Sequence, residues 1–110
     1  MAKALNFNNV KKRYFTVTLA DENETTLMIS TPSKSIMDEF ISMKDSLGSE
    51  DMAEDAIDEL YDLCTKIMNR NKGGIKIAKK DIEDMLDFED IILFIKSYTE
   101  FINELTNSKN

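Results

Sequence analysis

Carboxylates are the most abundant side chains in this chain that could take part in chemistry. Of its 110 residues, 21 are Asp or Glu and 14 are Lys or Arg; none is His, and the net charge is −7. Neighbouring acids such as Asp58 and Glu59 could share a proton, but helical spacing places them opposite an apolar stripe, where water keeps both ionised. They are better interpreted as a solvated helix face than as an acid–base pair.

The residues needed for metal, phosphate or nucleophilic chemistry are sparse. Common zinc sites use His or several Cys, and the single Cys64 has no His to activate it. No acidic run is followed by the turn glycine of a calcium loop, and Gly73-Gly74 follows Lys72 instead of preceding it, unlike a phosphate-binding loop. We therefore expect no enzyme activity and no cofactor or metal, with Cys64 as a small buried hydrophobe.

The overall charge narrows the choice of partners. A net charge of −7 repels phosphate backbones, so we expect no direct binding to nucleic acid. The longest apolar run, residues 91–95, is far too short to cross a membrane, and the first seven residues lack the apolar core of a signal peptide. The sequence thus predicts a cytoplasmic protein whose partners are other proteins.

An alternation of residue types predicts a β-hairpin near the N-terminus. Residues 14–19 alternate, the acidic run 21–24 turns the chain, and residues 25–30 return. Two strands alone are marginally stable, so a helix must cover them. Thr31 followed by Pro32 is a helix-start signal, and the apolar spacing predicts a first helix from about Pro32 to Leu47, ended by Gly48.

Three further helices are predicted after Gly48. Ser49 caps a strongly amphipathic second helix, a short extended piece follows at residues 75–77, and a third helix covers residues 79–86. Asp87 and Asp90 have capping-box spacing for a long fourth helix that ends near Leu105. The predicted fold class is α+β, mainly α: an N-terminal β-hairpin followed by about four helices, with residues 1–105 as one domain and 106–110 as a disordered tail.

The fourth predicted helix carries more apolar residues than one core-facing stripe requires. We therefore predict that part of it binds a protein partner. The candidate partner-binding residues are Phe88, Ile91, Phe94, Ile95, Tyr98, Phe101 and Ile102.

Charges of opposite sign are segregated along the chain. The second helix is acidic, and a basic loop follows it around Gly73-Gly74. Such patches could meet head to tail between copies and build rings or open spirals. The candidate self-association residues are Glu54, Asp58, Asp62, Arg70, Lys72 and Lys76.

The order of the predicted elements and the amino-acid sequence of the second half of the chain resemble those of a known family. The segments that carry the resemblance are 67–73 (Ile-Met-Asn-Arg-Asn-Lys-Gly), the short helix 81–86, 87–90 (Asp-Phe-Glu-Asp) and the closing helix around 94–102. Over about residues 10–105 the chain resembles the tail assembly chaperones of long-tailed siphophages and related prophages. The resemblance is one of pattern and includes no fixed binding motif.

This resemblance implies a non-enzymatic factor in phage tail morphogenesis. Members of the family coat the aggregation-prone tape measure protein and help to recruit tail tube subunits, and many of their genes also make a longer product by frameshifting near the stop codon. The seven Met residues fit an adaptable contact surface. Two alternatives stay open: a generic acidic protein-binding chaperone or adaptor, and an acidic DNA mimic that inhibits a nucleic-acid-binding protein.

Overall fold

The computed structural model describes residues 4–9, 11–47 and 54–107. After a short 3-10 turn at Phe7–Asn9, strands β1 (Phe15–Thr18) and β2 (Thr26–Ile29) form an antiparallel hairpin. Phe15 pairs with Ile29 and Thr18 with Thr26. The predicted hairpin is therefore confirmed, and its alternation turns Phe15, Val17 and Leu27 toward the core.

Asp21 holds the turn of the hairpin. Its carboxylate accepts hydrogen bonds from the Thr25 hydroxyl at 2.6 Å and from the Thr25 backbone N–H at 2.8 Å. These bonds stabilise the ionised form and hold the pKa of Asp21 below its ordinary value. Glu24, with a positive φ of 48°, completes the change of direction.

Strand β2 is paired on both of its edges. One edge faces β1, and the other meets the segment after the second helix in an isolated bridge between Ile29 and Asn71. The Ser30 N–H donates to the Arg70 carbonyl at 2.7 Å, and the Lys72 N–H donates to the Met28 carbonyl at 2.8 Å. Within the described residues, only β1 keeps an unpaired edge.

Helix α1 spans Lys34–Leu47, so it begins two residues later than the sequence predicted. The cap is Ser33 rather than Thr31: the Ser33 hydroxyl accepts the Ile36 N–H at 3.3 Å, and its carbonyl accepts the Met37 N–H. The predicted terminator Gly48 and the predicted cap Ser49 lie outside the described residues.

Helix α2, described over Glu54–Met68, lies at the centre of the molecule and contacts α1, α3, α4 and β2. Most of its apolar stripe from Leu60 onward is buried, and Ala56, Ile57 and Tyr61 are half-buried. The buried members of that stripe are Leu60, Leu63, Cys64, Ile67 and Met68.

The last two helices are α3 (Lys79–Met85) and α4 (Phe88–Asn107). The capping box is confirmed: the Asp87 carboxylate accepts the Asp90 N–H at 2.9 Å, and the Asp90 carboxylate accepts the Asp87 N–H at 3.1 Å. Helix α4 continues past Leu105 through Asn107. The first two residues of the predicted disordered tail are thus helical, and residues 108–110 lie outside the described part.

An aromatic cluster joins the hairpin to the helices. The Phe15 ring lies between 5.5 and 5.9 Å, centroid to centroid, from the rings of Phe94, Tyr98 and Phe101. Phe40 of α1 meets Tyr98 edge-on at 5.6 Å. One core therefore connects β1, α1 and α4, and the α+β, mainly α, fold class predicted from the sequence is confirmed.

Candidate protein-binding groove

An open groove separates the free edge of β1 from the first half of α4. Its volume is about 380 Å³, and most of its exposed surface is apolar. We call it the β1–α4 groove. Its lining consists of residues 15–20, Met68, Leu86, Asp90, Leu93, Phe94 and Ser97.

Leu93 is the most exposed large apolar side chain of α4. Its exposed fraction is 63%, whereas the next residue, Phe94, has an exposed fraction of 6%. A helix rotates by about 100° per residue, so neighbours in sequence face different surroundings. Phe94 turns toward Phe15 and Tyr98 in the core, and Leu93 turns to the groove.

Four of the seven candidate partner-binding residues lie in the chain's own core. Their exposed fractions are between 0 and 6%, because the hairpin, α1 and α2 already cover this side of α4. The expectation that they form a partner surface is therefore wrong. These residues are Ile91, Phe94, Ile95 and Tyr98.

The remaining three candidates are only partly covered. Phe101 and Ile102 are half-buried and pack against the edge of the core. Phe88, in the first turn of α4, has an exposed fraction of 41%. Of the predicted residues, Phe88 is the one that keeps substantial apolar surface.

The first turn of α4 positions Asp90, the acidic residue that lines the groove. The reciprocal bonds between Asp87 and Asp90 fix the first turn, and Asp90 also lines the groove. The Tyr61 hydroxyl donates to the Leu86 carbonyl at 3.1 Å and so ties the link before α4 to α2. This places a carboxylate beside an apolar opening, which favours a partner that combines apolar and cationic side chains.

Two titratable groups in the core lie away from solvent. Burial raises the pKa of the Cys64 thiol to about 12, which makes it a packed hydrophobe and a poor nucleophile, as expected from the sequence. Burial likewise raises the pKa of Tyr98 to about 12, and its hydroxyl makes only a long 3.5 Å bond to the Ser30 carbonyl. Neither group faces the groove.

The acidic self-association candidates on α2 are engaged within the chain. Asp58 pairs with Lys79 at 2.9 Å, and Asp62 pairs at 3.4 Å with Lys66, which also reaches Glu39 at 3.0 Å. These pairs are largely exposed, so each contributes little to stability. They do reduce the charge that α2 presents to a second copy. The side chain of Glu54 lies outside the described residues.

The basic candidates are also partly engaged. The Arg70 guanidinium donates to the Thr31 carbonyl at 2.8 and 3.3 Å, and the Lys72 ammonium lies 5.5 Å from the centroid of the Tyr14 ring. Lys76 is exposed. Arg70 therefore links the end of α2 to the segment before α1, and the role of these residues in self-association stays a prediction.

Two asparagines organise the loop after α2 in a way the sequence analysis missed. The Asn69 amide group bonds both the N–H and the carbonyl of Ile77, each at 2.8 Å, and Asn71 does the same to Ile75 at 2.8 and 2.7 Å. Each side chain thus mimics the pairing of a strand, and the predicted extended piece at 75–77 is held without a strand partner. Asn residues are frequent in loops, so composition alone gave no signal.

Leu93 was also missed, although helical spacing held a clue. Asp90 and Ser97 lie three residues before it and four residues after it, so its neighbours on the helix surface are polar. An apolar residue between polar neighbours marks the boundary of a buried stripe. The free edge of β1 had no comparable signal, because strand pairing on one side only is a tertiary property.

Other kinds of site receive no support in the part of the chain that the structure describes. There, no three His, Cys, Asp or Glu side chains come close enough to hold a metal ion, and no helix is both long and apolar enough to cross a membrane. Comparison with protein-family models, with curated proteins and with solved structures finds no match to this chain. The β1–α4 groove is the candidate site that the geometry supports best.

Proposed function

We propose that this protein is a non-enzymatic phage tail assembly chaperone. It binds the tape measure protein through the β1–α4 groove, helps to recruit tail tube subunits, and acts in the cytoplasm of the bacterial host. Two lines support the proposal: the resemblance of residues 10–105 to that family, and an apolar opening beside a helix whose sequence is richer in hydrophobes than its core needs.

The single observation that carries the proposal is Leu93 at the mouth of the groove. Its side chain is 63% exposed, and it lines a cavity of about 380 Å³ whose exposed surface is mostly apolar. A rod-like helical client offers a repeating apolar stripe that such an opening can accept.

A polar substitution at Leu93 tests this role. Leu93→Glu should reduce capture of the co-expressed tape measure protein at least about tenfold, because it places a charge against an apolar client beside Asp90. Ile41→Glu is the matched control, since Ile41 is 53% exposed on α1 and does not line the groove. Circular dichroism of both variants checks that each one is folded. Equal capture by the two folded variants would contradict the proposal.

The same binding measurement, made with variants of the acidic residues of α2, separates this function from that of an acidic DNA mimic. A mimic binds through carboxylates, so neutralising exposed acids of α2, for example by Asp55→Asn and Glu59→Gln, would abolish its binding while Leu93→Glu would not. The ion pairs of Asp58 with Lys79 and of Asp62 with Lys66 weaken the mimic interpretation, because they neutralise part of the face that would imitate phosphates. A generic adaptor would bind unrelated apolar clients as well as the tape measure protein.

A further inference from the structure

The unpaired edge of β1 offers backbone hydrogen-bonding groups. The Leu19 N–H donates to the Thr25 carbonyl at 2.8 Å, in line with the pairing of Phe15 and Ile29. In an antiparallel ladder successive residues point alternately to the two sides. The backbone groups of odd-numbered residues in β1 therefore face β2, and those of Thr16 and Thr18 face outward, where a further strand can pair with them.

The groove lies directly beside this edge. Residues 15–20 form one wall of the β1–α4 groove, and Leu93 stands on the other. A strand added next to β1 would extend the sheet over the groove. Its alternate side chains would point to the same face as Phe15 and Val17, and would cover the exposed Leu93.

The charges at the two ends of β1 have opposite signs. Lys11, Lys12 and Arg13 precede the strand, and Asp21 and Glu22 follow it. Two copies of β1 placed antiparallel bring the basic end of each beside the acidic end of the other. A parallel arrangement brings like charges together, which is unfavourable across strands.

The outward-facing groups also select the register. They pair when Thr16 of one copy lies opposite Thr18 of the second copy, which places the two Val17 residues across from each other at a two-fold axis. Beyond the strand ends, the same arrangement brings the basic segment 11–13 of one copy toward the turn of the second copy, which carries Asp21 and Glu22. Backbone pairing, apolar contact and charge thus agree on one arrangement.

We propose that β1 pairs antiparallel with β1 of a second copy around Val17, so that one continuous sheet crosses a closed dimer. The dimer covers the β1–α4 groove, and a client must displace the second copy to enter it. At physiological salt the net charge of −7 on each chain is screened beyond about 8 Å, which limits the overall repulsion between the two copies. The dimer does not depend on the identity of the client and goes beyond the proposed function.

Amide hydrogen exchange followed by NMR gives the first test. The amides of Thr16 and Thr18 should exchange fast in dilute protein and become at least about tenfold slower as the concentration is raised into the dimer range, measured in parallel by sedimentation equilibrium. The amide of Val17, bonded within the hairpin, serves as the internal control and should be slow throughout. Fast exchange of Thr16 and Thr18 in a chain that stays monomeric at all concentrations would overturn the proposal.

Charge reversal gives the second test. Lys12→Glu alone and Glu22→Lys alone should each weaken the dimer about tenfold or more, since each creates two repulsive contacts across the two-fold axis, and the double variant should restore it. Lys80→Glu is the matched control: it changes the net charge by the same amount as Lys12→Glu, at an exposed site on α3 whose ion pair within the described residues is with Asp84. Dimerisation of Lys80→Glu should equal that of the unmodified chain.

Other occupants of the edge would give distinct results. If Thr16 and Thr18 are protected equally at every concentration in a monomer, a segment of the same chain covers the edge and the proposal is wrong. If a dimer forms but responds equally to Lys12→Glu and Lys80→Glu, the two copies meet elsewhere and the proposal is again wrong. Leu93→Glu tests the chaperone function, whereas the hydrogen exchange of Thr16 and Thr18 and the charge reversals test the dimer, so the two proposals can fail separately.

Discussion

Helices α2 and α4 are both amphipathic, but the apolar residues in their middle turns are covered to different extents. Leu63 on α2 is 2% exposed, whereas Leu93 on α4 is 63% exposed. The difference comes from position: α2 contacts four other elements, and α4 lies at the side of the sheet where, among the described residues, no further strand pairs with β1. An exposed apolar side chain beside an unpaired strand edge marks the surface that is the candidate for binding a partner.

The core side of α4 should nevertheless be as important for stability as the stripe of α2. Tyr98→Ala removes a fully buried ring that contacts Phe15, Phe40 and Phe94, and should lower the free energy of unfolding by about 3 to 5 kcal/mol. Chemical denaturation measures the loss. This is the largest effect that we expect.

Tyr98→Phe is the matched control for that measurement. It keeps the ring and removes only the hydroxyl, whose bond to Ser30 is 3.5 Å long, so it should cost no more than about 1 kcal/mol. If Tyr98→Ala lowers the free energy of unfolding no more than Tyr98→Phe does, the aromatic cluster does not hold α4 in place. The proposed difference between the buried and the exposed side of α4 would then be wrong.

The burial of the α2 stripe should also appear as a dependence of stability on pH. Burial raises the pKa of Cys64 from its ordinary 9.0 to about 12 in the folded chain. Because the folded-state pKa lies above the unfolded value, this contribution is fully present below about pH 9. It is lost as pH rises toward 12, at about 1.4 kcal/mol per pH unit.

Comparison with Cys64→Ala isolates the contribution of this thiol. The variant should be less stable at neutral pH because of the cavity, but its stability should fall less steeply between about pH 9 and pH 10. All other titrating groups are common to both proteins, so the difference in slope reports Cys64 alone. Identical slopes would mean that water reaches the α2 stripe in the folded state.

Local signals in the sequence predicted most of the fold. The alternation of residues 14–19 gave the hairpin, and the spacing of Asp87 and Asp90 gave the start of α4, because both are set by contacts within a few residues. The start of α1 was misplaced because Thr31 and Ser33 are both competent caps, and only the geometry of the first turn chooses between them. The loop after α2 was missed because amide side chains take the place of backbone partners there.

The candidate site was less predictable than the fold. Apolar spacing identified α4 as the helix with an excess of hydrophobes, but it placed both Phe94 and Leu93 within one wide apolar arc, and the polar neighbours of Leu93 were only a weak sign that it lies at the boundary. Which of the two is covered depends on where Phe15 lies after folding, and that contact is distant in sequence. Of the residues named in advance, Phe88 kept an exposed apolar surface.

The smallest effect should be the most informative one. Leu93→Gln should change the free energy of unfolding by less than about 0.5 kcal/mol in dilute, monomeric protein, because the side chain already faces water. The same exchange at Leu63 buries an amide in the centre of α2 and should cost more than about 2 kcal/mol. Denaturant midpoints for the two variants therefore compare identical chemistry on the two helices. Similar losses at both sites would show that Leu93 is covered in solution, and the groove would then no longer be a candidate for binding a partner.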